Sequence, residues 1–129
     1  MSDKIKYELE FLIKTSTKVL YNMLSSASGL SEWFCDDVNF RGEVYTFMWD
    51  GDEEKAKLLT KKANEYIKFQ WEDDVEEGNK NFFELRIKVD PMTKDVALIV
   101  TDFAEEDELE EAQMLWENQV GELKQVLGA

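Results

Sequence analysis

The chain has 129 residues, 43% of them hydrophobic and 34% charged, with 15 Lys and Arg against 29 Asp and Glu for a net charge of −14. That length and apolar content predict one folded domain with a real core rather than a disordered chain. The negative charge repels a phosphate backbone and an anionic bilayer surface, which argues against nucleic-acid binding and membrane insertion.

Met1-Ser2-Asp3-Lys4 carries no apolar leader, and no stretch is long and apolar enough to span a membrane, so a cytoplasmic protein is expected. Ile5, Tyr7, Leu9, Phe11 and Ile13 alternate with Lys6, Glu8 and Glu10, the period of a half-buried strand. Thr15 or Ser16 is placed to cap a helix with Val19, Leu20, Met23 and Leu24 on its apolar face. Ser25 to Gly29 breaks that helix, and Leu30, Trp33 and Phe34 fit one face of a short second one. Val38 to Arg41 and Glu43 to Trp49 read as strands around a tight turn at Gly42, and Asp50-Gly51 is a strong hairpin signal. The strand from about Glu53 to Lys62 puts Ala56 and Leu58 on one face and Lys55, Lys57 and Lys61 on the other. Tyr66 to Trp71 aligns Ile67, Phe69 and Trp71.

Glu72 to Lys80 reads as a solvated loop holding five carboxylates. Phe83, Leu85, Ile87 and Val89 form another alternating strand, and Asp90-Pro91-Met92-Thr93 a turn. Val96 to Phe103 is apolar on both faces, which predicts a central or doubly covered strand. The acidic stretch Glu105 to Glu108 then opens an amphipathic helix with Leu109, Ala112, Trp116, Val120, Leu123 and Leu127 on one face. Asp107 and Glu110 fit a capping box, and Gly128 fits just past the end.

The order is one strand, two helices, about six antiparallel strands and a long helix. It resembles the helix-grip fold of the START-like (SRPBCC) superfamily. Leu30-Ser31-Glu32-Trp33-Phe34, Gly42 with Trp49, and Trp116 with Leu123 resemble the aromatic positions of small bacterial domains related to the activators of the Hsp90 ATPase. The resemblance implies an α+β fold over residues 1–129. A curved antiparallel sheet of about six to seven strands would wrap the C-terminal helix, with two short helices between strands 1 and 2.

Chemistry is scarce. The chain has no histidine and one cysteine. This removes Ser-His-Asp and Cys-His catalysis and ordinary zinc sites. Cys35 lacks an evident basic partner and reads as a core residue. Aligning Gly78 with the glycine of an EF-hand loop puts Val75 where an oxygen ligand is needed, so that match fails. No phosphate-binding glycine loop is present. Lys55, Lys57, Lys61 and Lys62 read as a solvent face that discourages edge pairing, or as a docking site for an acidic partner. Asp36 and Asp37 either supply a carboxylate to a cavity mouth or cap a turn locally. No cofactor, metal ligand or catalytic residue is assigned.

The four Trp, four Tyr and eight Phe remain. Burying one aromatic ring contributes up to about 4–6 kcal/mol, so core packing alone accounts for them. The resemblance adds a second reading, an apolar pocket between sheet and terminal helix. Its lining candidates are Trp33, Phe34, Phe47, Trp49, Phe69, Trp71, Phe83, Trp116 and Val120, with Gln113, Gln119, Tyr45 and Thr101 as polar groups. The expected function is non-enzymatic binding of a small apolar or amphipathic ligand. The alternatives are a chaperone-associated or regulatory protein-interaction module and an enzyme like the polyketide cyclases. Without histidine, that enzyme would need a buried Asp, Glu or Tyr of shifted pKa.

Overall fold

The computed structural model describes residues 4–129; Met1 to Asp3, part of the segment read as leaderless, lie outside the described residues. The elements run β1 (Ile5–Leu12), α1 (Thr17–Ser25), α2 (Ala27–Trp33), β2 (Asp37–Arg41), β3 (Val44–Trp49), β4 (Asp52–Lys62), β5 (Tyr66–Trp71), α3 (Glu72–Glu77), β6 (Phe83–Val89), β7 (Val96–Ala104) and α4 (Leu109–Leu127). A 3₁₀ turn, Glu106–Glu108, precedes α4. The strands form one open antiparallel sheet in the order β1-β7-β6-β5-β4-β3-β2. Two short helices between the first two strands and a long C-terminal helix complete the helix-grip arrangement expected from the element order. Among the described residues no helix is long and apolar enough to cross a membrane.

The local signals behave as the side-chain chemistry requires. Ser16 caps α1 by accepting from the Val19 N–H at 3.1 Å. Gly42 turns β2 into β3 at φ +58°, and Asp50 and Gly51 turn β3 into β4 at φ +47° and +85°. Asp90 accepts from the Met92 and Thr93 amides at 2.8 and 3.1 Å, holding the turn before β7. Gly128 ends α4 at φ +68°, in the left-handed conformation.

β7 is buried along Ala97–Thr101. Leu98 and Val100 share the inner face with their partners Leu9, Phe11, Leu85 and Ile87. Ile99 and Thr101 face the other way, flanked by Glu10 and Arg86 and by Glu8 and Glu84. On that outer face Ile99 and Thr101 are 9% and 5% exposed.

Several expectations change. α2 starts at Ala27, earlier than the Ser/Gly composition implies, because the Ser26 hydroxyl accepts from the Gly29 N–H at 2.9 Å. The segment from Glu72 is a short helix rather than a loop. It ends at Gly78 (φ +75°). Its Asp74 is buried, accepting from the Asn79 amide at 2.9 Å and lying 3.9 Å from Lys4 Nζ. Carboxylates in the first turn of α3 also suit the positive end of its dipole.

The capping box at Asp107 does not form. Residue Glu108 stands at the N-cap and makes no side-chain cap bond. The lysines of β4 do not guard an edge, since β4 is an interior strand and the edges are β1 and β2. A register shift between Leu58 and Thr60 moves Lys61 opposite Ile67, out of phase with Lys55 and Lys57.

Gly29 lies where α2 crosses the end of α1. A Cβ there would come within 2.7 Å of the Met23 Cα. Gly29→Ala should therefore cost about 1–3 kcal/mol through overpacking, although alanine favours a helix by about 1 kcal/mol. The expected observation is a lower urea midpoint at unchanged slope. An equal or higher midpoint would show that the two helices can separate at no cost.

Candidate functional site

The C-terminal end of α2 organises an aromatic cluster. The Phe34 ring lies 5.1–5.9 Å from the rings of Trp33, Phe47, Trp49, Phe83 and Trp116. Such pairs add about 0.5–1.5 kcal/mol each beyond area burial. The Phe34 carbonyl, left free at the helix end, accepts twice: from Trp49 Nε1 at 2.7 Å and from Gln119 Nε2 at 3.0 Å. One backbone oxygen thus ties β3 and α4 to α2. Trp33 is fixed separately, its Nε1 donating to the Met23 carbonyl at 2.8 Å.

Beside this junction opens a cleft of about 870 Å³, bounded by α2, the Trp49 and Trp71 ends of β3 and β5, and the middle of α4. Of the aromatic candidates, Trp33, Phe34, Trp49, Trp71 and Trp116 line it. Phe47, Phe69, Phe83 and Val120 do not; they are at most 1% exposed and pack behind it in the core. Phe83 supports Trp71 at 5.0 Å, and Phe47 supports Trp49 at 5.8 Å.

Among the polar candidates only Gln119 reaches the lining. Tyr45 donates instead to the Ser25 carbonyl at 3.4 Å. Thr101 sits in register with Glu8 and Glu84 on the other face of the sheet. Gln113 is half-buried outside the cleft. Asp36 lines the mouth and, rather than capping locally, accepts from the Asp50 N–H at 2.8 Å in the turn between β3 and β4. Asp37 accepts locally from the Val38 N–H at 2.9 Å.

The residue that sequence reasoning missed is Asp102. It follows Leu98 and Val100 in the inward phase of β7, and that parity is the signal that could have found it. Its Oδ2 accepts from Trp116 Nε1 at 2.9 Å and from the Tyr7 hydroxyl at 3.4 Å. Burial raises its pKa above the ordinary carboxylate value, outweighing those bonds and the Phe103 N–H. Burial and the Asp102 charge also raise the Tyr7 phenol. Cys35 is pushed up to about 12, by burial first and then by Asp37 and Asp36. That leaves it a protonated thiol with little nucleophilic character. Among the described residues no three acidic or cysteine side chains are grouped to hold a metal ion.

The family description of a START-like superfamily domain matches residues 1–129. The chain belongs to that superfamily. A Bacteroides fragilis protein solved in solution is 33% identical over 98% of this chain and 93% of its own, with a TM-score of 0.67. The Aha1 dimer from Colwellia psychrerythraea superposes at a TM-score of 0.79 with 17% identity, covering 93% of each chain. A Mesorhizobium loti protein reaches 0.77 at 16% identity over 96% of this chain and 97% of its own. A search of curated proteins finds no match.

Asp102 holds its proton more tightly folded than unfolded. The stability this contributes is complete below the ordinary value of 3.8 and is lost as pH rises through the raised folded value. Asp102→Asn cannot ionise yet keeps an acceptor for Trp116. The variant should therefore gain stability relative to the parent as pH rises through the carboxylate range, then level off. Urea unfolding at a series of pH values reads this difference; a flat line would remove Asp102 as the titrating group.

Proposed function

We propose that this START-like domain is a non-enzymatic binding module that takes a small amphipathic molecule into the cleft between α2, the sheet and α4. The carrying observation is a cleft of about 870 Å³ walled by five aromatic side chains. That volume falls within the roughly 300–1,000 Å³ of ligand pockets, which are usually apolar with a few placed polar groups. Trp33, Phe34, Trp49, Trp71 and Trp116 would contact the ligand, while Phe47, Phe69, Phe83 and Val120 hold their rings in place. Histidine is absent and Cys35 is held as a thiol, while Asp102, the one lining carboxylate of raised pKa, has its Oδ2 engaged by Trp116 and Tyr7.

A protein partner is the second reading, favoured by Met114 and Leu115, which are 58% and 59% exposed on α4. Native mass spectrometry of gently purified protein separates the two, since a small adduct and a bound polypeptide differ in mass.

A ligand that binds only the folded state raises apparent stability, by about 2.7 kcal/mol at a hundredfold excess over Kd. The melting temperature should rise, and Trp fluorescence change, with at least one of a panel of amphiphiles. Trp71→Leu should weaken that binding by about thirtyfold, as for loss of an aromatic anchor worth about 2 kcal/mol. Unchanged melting and fluorescence across the panel would rule out the cleft as a ligand site.

A further inference from the structure

The charge and hydrogen-bond inventory of the cleft narrows its occupant, an inference that rests on the ligand-binding reading above. Six carboxylates line the cleft: Glu32, Asp36, Asp52, Glu54, Asp102 and Glu122. No Lys or Arg lines it. None of the six forms an ion pair with a described residue. Lys4 and Lys55 border the adjoining hollow, which shares Glu54 and Trp71 with the cleft.

Most of the donors that the lining owns are already committed, the exceptions being the Trp71 indole N–H and the second N–H of the Gln119 amide. Trp33, Trp49 and Trp116 give their indole N–H to Met23 O, Phe34 O and Asp102 Oδ2. Gln119 donates to Phe34 O and the Ser31 hydroxyl to Ser28 O. The backbone N–H groups of Phe34, Cys35 and Asp36 are bonded to Leu30 O, Leu30 O and Met48 O. The cleft therefore offers acceptors, negative charge and aromatic surface. A phosphate or carboxylate would find no lining cation and few uncommitted donors there. An ammonium group fits on all three counts, because it brings donors, complements the carboxylates and is attracted to indole faces. The aromatic walls beside the carboxylates suit a cation that carries an apolar body, which an organic ammonium does.

We propose that the cleft selects an organic ammonium compound with an apolar body, and excludes anionic amphiphiles of the same size. The apolar part lies against the Trp49, Trp71 and Trp116 surfaces, and the ammonium sits towards Asp52 and Glu54 at the start of β4.

Octylammonium, octyl glucoside and octanoate share one tail and differ in charge, so they test this below their micelle-forming concentrations. Titration by calorimetry and Trp fluorescence should show the cation binding about tenfold tighter than the glucoside, with no saturable binding of octanoate. The double variant Asp52→Asn/Glu54→Gln should lose threefold or more for the cation, about 0.65 kcal/mol or more by RT ln 3, and keep its affinity for the glucoside. The pair Glu8→Gln/Glu10→Gln, on β1 and outside the cleft, should change neither. Equal binding of all three probes, or equal loss in the two double variants, overturns the cation selectivity while leaving the cleft as a site. No binding of any probe to the parent protein overturns the cleft reading and this inference with it.

Discussion

The carbonyl of Phe34 is the junction on which this structure depends. A helix end leaves its last carbonyls without intrahelical partners, and burying one unpaired costs about 1–3 kcal/mol. Here the deficit is met from two directions, by an indole from β3 and an amide from α4. Both donors come from elements that must pack against α2 for the bonds to form. The requirement to satisfy one oxygen thus sets the distance between the sheet, the short helix and the long helix. The Phe34 ring, pointing into the same junction, touches five other aromatics.

The second fastening runs through Asp102. A carboxylate among aromatics is costly to desolvate, and its raised pKa registers that cost. It persists because Trp116 and Tyr7 both point donors at it, joining α4 and β1 to β7. Trp116 therefore lines the cleft and anchors the helix in one side chain. The two fastenings also shape the site. They use up the indole donors of Trp49 and Trp116 and leave the ring faces and surrounding carboxylates as what the cleft presents.

Much of the fold was legible because it is written in local patterns. β1, β5 and β6 follow strict alternation, and the hairpins sit at Gly42 and Asp50-Gly51 where positive φ is needed. The misreadings have equally physical origins. Ser26 looked like a breaker and is a cap, since its hydroxyl can terminate one helix and start the next. Glu72–Glu77 looked like a solvated loop because charge is common to loops and helix starts, and the Asn79 and Lys4 contacts to the buried Asp74 come from outside the segment. Lys61 was placed on the wrong face because a bulge adds one residue without leaving a mark in composition. The site was half legible. The inward phase of the strands identified rings that share one cluster, but it could not separate those that line the opening from those that close the core behind it.

Sequence alone determined the order of elements, the long terminal helix, the acidic surface and the absence of histidine chemistry. Each of these depends on the residue itself or on neighbours within a turn or a strand. Tertiary structure decided that a cleft exists, that Trp116 meets Asp102, and that most of the lining donors are spent. Those outcomes depend on side chains brought together from distant segments, as with Phe34 and Gln119, 85 residues apart. Burial and hydrogen-bond satisfaction are properties of the assembled neighbourhood, and no local pattern encodes them.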